Sequence, residues 1–190
     1  MSDLMKKNLR TFHRRLAPWI FVLAAVSAVT GMVYRIGRAW FGMNKETGNT
    51  VLDFHTGEWI SAAFSPFYVL LVGGGLLFLL GTGAVLWWQG RTRAGVRFWH
   101  RVLGVVLMLP LTATVLTGIL AKLGEEWFGF SENTGKLLMT IHEGRWLGQD
   151  GRPFYVLFVG LGLLALGISG LRLLLPKRNR PVEAGMPPRP

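Results

Sequence analysis

The residues of this chain best suited to chemistry are its four histidines, His13, His55, His100 and His142. Their spacing is regular: 42 residues separate His13 from His55, and 42 separate His100 from His142. Imidazole is a common metal ligand and proton carrier near neutral pH. The chain has no cysteine, which removes thiolate metal sites, iron–sulfur ligation, disulfides and thiol nucleophiles together.

A shift of 87 residues carries the first histidine pair onto the second, and much of the chain moves with it. Phe12-His13-Arg14 meets Trp99-His100-Arg101, and Thr30-Gly31 meets Thr117-Gly118. Trp40-Phe41-Gly42 meets Trp127-Phe128-Gly129, and His55-Thr56-Gly57-Glu58-Trp59 meets His142-Glu143-Gly144-Arg145-Trp146. Pro66-Phe67-Tyr68-Val69-Leu70 meets Pro153-Phe154-Tyr155-Val156-Leu157. The chain reads as a tandem duplication, and every histidine is duplicated.

The elements that must position these residues are apolar. Hydrophobic residues make up 51% of the chain and the mean hydropathy is +0.37, with polar residues bunched between long apolar runs. Such runs in a bilayer must be helical, because no backbone group can stay unpaired there. The organisation expected is a basic N-terminus (1–15), a first repeat (16–88) with spans 16–34 and 66–88, and a basic connection (89–101). A second repeat (102–175) follows, with spans 102–121 and 153–175, and then a tail (176–190). The first span is too long for a signal-peptide core and lacks a small-residue cleavage pattern after it, so it reads as uncleaved. Pro66 suits a helix start and Pro110 a kink. The tail, rich in proline from Pro181, is expected to be disordered.

Charge orients the chain. The N-terminus, the connection and the C-terminal segment from Arg172 hold five, four and five of the 21 Lys and Arg, opposed only by Asp3 and Glu183. The two long loops hold three and four basic residues against three and five acids. Basic segments stay on the cytoplasmic side, so both termini and the connection are expected there, in a bacterial-type inner membrane or its equivalent. The net charge of +11 is thus a topology signal and not a nucleic-acid footprint. The fold class expected is an all-α integral membrane protein of four transmembrane helices. Two tandem parallel two-helix repeats build it, with short amphipathic helices over Val51–Ile60 and Leu137–Leu147 in the two outer loops. Parallel repeats are related by an axis along the membrane normal.

That axis pairs His13 with His100 near the cytoplasmic face and His55 with His142 near the outer face. From His13 to Arg35 is 22 residues, about 33 Å of helix, so His13 and His55 are not expected to share a metal. Two facing imidazoles in each leaflet suit two bis-histidine haems of b type. Arg14 and Arg101, beside the inner histidines, are suited to holding propionates. Gly73-Gly74-Gly75, Gly160 and Gly162 allow close approach of a macrocycle, and Gly83 matches Gly170. Each feature also has a plainer reading. Glycines in membrane helices usually serve helix packing. Arg14 and Arg101 belong to the cytoplasmic charge signal, and histidines, tryptophans and tyrosines at span ends anchor the interface without any cofactor.

At Phe12-His13-Arg14-Arg15-Leu16 with Thr30-Gly31, and more closely at Trp99-His100-Arg101-Val102-Leu103-Gly104 with Thr117-Gly118, the chain resembles the PepSY-associated transmembrane family. The resemblance covers roughly residues 9–175. It implies a haem-b membrane reductase that passes electrons outward, for example to ferric siderophores. Haem ligation would fall to His13 and His100 most directly, and to His55 and His142 by their place in the loops. The outer loops are too short to hold a separate PepSY domain, so the resemblance is to a short form.

The function expected is that of a small di-haem b protein passing electrons across the membrane, as an oxidoreductase subunit. Its partners would be membrane lipid and a redox partner or larger membrane complex, and no nucleic acid. The alternative is a non-redox scaffold or assembly partner of a larger membrane complex, supported by small size and packing glycines. A transporter is less well supported, because the spans lack acidic residues. No glycine-rich dinucleotide fingerprint and no nucleophile–base constellation is present.

Overall fold

The computed structural model of the protein describes residues 3–88 and 94–175. Part of the basic connection (89–93) and the tail (176–190) lie outside the described residues. Those described form helices and no strand: α1 (Asp3–Trp40), α2 (Lys45–Thr56), α3 (Ser65–Trp88), α4 (Val96–Phe128), α5 (Glu132–His142) and α6 (Gly148–Arg172). Short 3-10 turns at Ala62–Phe64 and Arg145–Leu147 lead into α3 and α6.

Four of these helices, α1, α3, α4 and α6, are long and apolar enough to cross a membrane. Only 17–22% of each apolar window is buried inside the protein. Large side chains such as Trp19, Leu109, Phe154 and Leu161 point outward. That much exposed apolar surface is untenable in water and ordinary in lipid, where van der Waals packing holds helices together.

The helices are longer than the apolar runs alone. α1 has 38 residues, about 57 Å, against roughly 30 Å of hydrocarbon. It continues through the basic N-terminus and on to Trp40, because nothing in either flank breaks a helix until Gly42, whose φ is +62°. α4 likewise begins at Val96 and ends at Phe128, before Gly129 in the left-handed region. Pro18 and Pro110 lie inside α1 and α4, which run on through them. Pro66 sits at the second position of α3, where a missing N–H costs least. α6 starts earlier than its proline, at Gly148.

The four long helices form a ring in which α1 packs on α3 and α6, and α4 packs on α3 and α6. α1 and α4 are therefore diagonal to each other. Glycines set the seams. A Cβ at Gly75 would lie 2.5 Å from Ile20 Cδ1, and one at Gly162 would lie 2.5 Å from Leu107 Cδ2. Gly73 meets Ile119 and Gly160 meets Met32 in the same way. These glycines admit side chains of neighbouring helices, so packing is what they do here. The core they enclose holds Ile20, Ala24, Val72, Leu76, Leu107, Leu111, Val159 and Leu163.

Candidate functional site: two histidine layers in a helical ring

α2 and α5 carry the outer histidines. Asn44 Oδ1 caps α2 by accepting from the Thr47 N–H at 2.8 Å, and Ser131 Oγ caps α5 by accepting from Thr134 N–H at 3.3 Å. Such caps satisfy orphan donors and fix where each helix starts. Past the histidines the chain turns at Gly57 and Gly144, with φ of +82° and +68°. A Cβ at either would also lie 2.5 Å from the ring of Tyr68 or Tyr155. Only glycine fits both conditions.

The turns at Gly42 and Gly129, with φ of +62° at each, fold α2 back along α1 and α5 back along α4, and those at Gly57 and Gly144 lead on into α3 and α6. His55 consequently lies level with Ser27 and Gly31 of α1, deeper than a loop beyond the end of a span would suggest. Its Nδ1 is 2.7 Å from the Ser27 carbonyl oxygen, while Ser27 Oγ donates to the His55 carbonyl at 3.2 Å. Ser27 Oγ is also 3.0 Å from the Tyr68 hydroxyl. On the other side, His142 Nδ1 is 2.8 Å from the Thr114 carbonyl, and Thr114 Oγ1 is 2.7 Å from the Tyr155 hydroxyl. Ser27 and Thr114, like Tyr68 and Tyr155, are 87 residues apart.

His55 and His142 meet at the centre, with ring centroids 6.2 Å apart and planes inclined at 73°. A carbonyl oxygen can only accept, so each Nδ1 carries the proton and each Nε2 keeps its lone pair. A hydrogen bond from Nδ1–H to a carbonyl is what orients an imidazole that binds a metal through Nε2. Burial lowers the His55 pKa to about 4, with His142 beside it adding to the effect, and burial lowers that of His142. Both rings are neutral at pH 7. Each rests on a glycine: a Cβ at Gly31 would lie 3.0 Å from His55 Cε1, and one at Gly118 would lie 2.8 Å from His142 Cε1. Gly118→Ala is therefore expected to displace its histidine more than Gly31→Ala does, read as the larger change in the ring resonances of His142 by NMR.

Both rings line a cavity of about 970 Å³ among the four long helices. Its floor includes Val72, Leu76, Leu111 and Leu163, and its mouth carries Arg35, Lys122 and Arg145. The cavity is large enough for a tetrapyrrole. Among the described residues no cluster of three or more metal-ligating side chains occurs. A pair of imidazoles suits a metal whose other ligands come from a macrocycle.

His13 and His100 stand one layer in, 14 residues before Ser27 and Thr114 on the same helices, about 21 Å along each axis. His13 Nδ1 is 2.7 Å from Thr82 Oγ1 of α3. Thr82 Oγ1 itself donates to the Phe78 and Leu79 carbonyls, at 2.9 and 3.1 Å. His100 Nδ1 is 2.9 Å from Ser169 Oγ and 3.1 Å from the Leu166 carbonyl of α6. Gly83 and Gly170 lie against the two rings. The structure thus brings His55 and His142 into contact, and places His13 and His100 on diagonal helices, each tied to its own neighbour. The inner pair does not line the large cavity.

Arg14 is exposed, in a basic groove with Lys6, Lys7 and Arg10. Arg101 donates from Nη2 to the Trp87 carbonyl at 2.7 Å, at the end of α3. Sequence reasoning passed over the hydroxyl partners. Their signal was available: Thr82 and Ser169, like Ser27 and Thr114, are polar residues kept inside apolar spans at the 87-residue interval. Compared with protein-family models, with curated proteins and with solved structures, the chain matches none of them.

Proposed function

We propose that the protein is a small di-haem b membrane electron carrier, with His55 and His142 as axial ligands of one haem and His13 and His100 as those of the other. The observation that carries this reading is the outer pair: two neutral, Nδ1-tethered imidazoles 6.2 Å apart at the wall of one cavity. An imidazole nitrogen binds a transition metal at about 2 Å, so two imidazoles with ring centres roughly 6 Å apart could hold one iron between them. The inner pair supports the second site by the same tethering of Nδ1 and the same glycine beside the ring.

Bound haem would supply a one-electron couple at an iron with no open position, which suits electron transfer rather than oxygen chemistry. The chain's own residues do the rest. Ser27 and Thr114 hold the outer imidazoles in one tautomer and one orientation, and Tyr68 and Tyr155 brace Ser27 and Thr114. Leu111, Val72 and their neighbours keep water from the cavity floor. Two layers about 21 Å apart along the helices would give a path across most of the hydrocarbon. The contacts that recur at the 87-residue interval support a parallel arrangement of the two repeats, and the resemblance to PepSY-associated membrane reductases points the same way.

The test is the absorption spectrum of the detergent-purified protein. A low-spin b-type spectrum on reduction, unchanged by carbon monoxide, is expected, since both axial positions are taken. A high-spin spectrum or a carbon monoxide shift would overturn bis-histidine ligation. Orientation is tested separately. Reporter fusions after Gln89 and Arg180 are expected to read cytoplasmic, and those near Asn49 and Asn133 extracytoplasmic. A cytoplasmic reading at either loop would overturn that topology.

A further inference from the structure

The mouth of the large cavity is not charged evenly. Lys122 of α4 donates to Glu58 at 2.8 Å and to Glu126 at 3.1 Å, so one cation there meets two carboxylates. The 87-residue shift places Arg35 of α1 opposite Lys122, but its surroundings differ. Glu58 is replaced by Arg145, Ser65 by Arg152, and Thr56 by Glu143. Arg35 stands near Tyr34, Arg38 and Arg145, and Arg152 stands near Arg35 and Tyr34. Arg145 and Arg152 both pair with Glu143. Arg35 forms no ion pair among the described residues, and its Nε is buried without a hydrogen-bond partner. Arg152 Nε is buried without a partner too.

Three guanidiniums thus stand together near the α1–α6 seam, two of them on one carboxylate and Arg35 on none, and Arg35 and Arg145 line the cavity. The other carboxylates of its lining either pair with lysines, as Glu58 with Lys122 and Glu132 with Lys136, or are Asp53 and Glu125. Guanidinium is the donor best matched to carboxylate, in paired, charge-assisted hydrogen bonds. A crowd of arginines at the edge of a low-dielectric cavity is costly unless an anion joins it.

We propose that Arg35 and Arg145, with Arg152, form a carboxylate-binding site at the α1–α6 edge of the cavity mouth, which receives the two propionates of the haem held by His55 and His142. This rests on the haem reading above and adds to it a direction. A ligand site built from two similar halves would accept a haem either way round. The exchange of Glu58 for Arg145 between the halves leaves only one edge suited to its acidic side.

The test separates the arginines from the iron ligands. The full chain, produced without haem, is titrated with haem and with haem dimethyl ester, which keeps the iron and loses both carboxylates. Haem is expected to bind roughly tenfold or more tightly than the ester at the outer site. Arg35→Gln and Arg145→Gln are each expected to shrink that preference while both ligands still give a low-spin spectrum. Arg35→Lys restores part of it, and Lys122→Gln leaves it unchanged. Equal affinities in the unaltered chain, or a preference that survives both arginine changes, would overturn the site. If neither ligand binds, the haem reading fails, and citrate titrated by calorimetry decides the arginines alone. Citrate binding that depends on Arg35 and Arg145 would keep a carboxylate site for a diffusible acid, and no citrate binding would overturn it.

Discussion

His142→Ala is expected to remove the haem proposed at the outer pair and to leave the inner one, and His55→Ala is expected to give the same product. The double change removes no more than either single one, because one lost axial ligand already disables a shared iron. His13→Ala and His100→Ala are expected to behave as a second such pair, losing the inner haem together. Potentiometric titration reads this directly: each single variant keeps one of two redox steps. The assignment depends on distance along the helices. His13 and the level of His55 at Ser27 are 14 residues apart on α1, about 21 Å, so one iron cannot reach both. A variant pair such as His13→Ala and His55→Ala that affected one common centre would refute the two-layer account. Two surviving steps in every variant would mean that the histidines are not ligands.

The second large effect falls on the glycines at the helix seams. Gly75→Val is expected to disrupt the fold, because its Cβ would enter Ile20, with 2.5 Å to Cδ1 and 2.9 Å to Cγ1. Gly162→Val meets Leu107 in the same way, and Leu107 is among the most buried side chains, 1% exposed. Overpacking of this kind costs about 1–3 kcal/mol, and more where the neighbour cannot move. Gly74, next to Gly75 on the same helix, is the contrast, since a Cβ there would meet nothing within 4 Å. Gly74→Val should be tolerated. Thermal unfolding in detergent checks the series, with Gly75→Val and Gly162→Val well below the unaltered protein and Gly74→Val close to it. Equal losses at Gly74 and Gly75 would mean that the helices do not pack as described.

Much of this arrangement is legible in the sequence, for different reasons in different places. The four long apolar helices follow from uncharged runs that only helices can carry through lipid. The histidine register follows from arithmetic at 87 residues. Where His55 and His142 sit in depth does not, since it depends on how Gly42 and Gly129 turn α2 and α5 back along the long helices. A sequence shows that these glycines match and not what φ they adopt. The role of Gly73, Gly75, Gly160 and Gly162 was open between packing and cofactor approach, and the side chains of Ile119, Ile20, Met32 and Leu107 occupy the space beside them. Gly31 and Gly118, which carry the histidine rings, stood in plain sight as part of the Thr-Gly pairs. The arginine cluster was hidden for another reason. A repeat draws the eye to what matches, while Arg145 and Arg152 matter because Glu58 and Ser65 do not match them.

The most direct measurement is the haem content of the full-length chain, purified in mild detergent from haem-replete cells and assayed as the pyridine haemochrome against protein by amino-acid analysis. Two haems b per chain is the value predicted. One haem would confine the account to the outer pair, whose geometry is the stronger. A colourless protein would contradict it and return the chain to the reading of a membrane scaffold without redox chemistry.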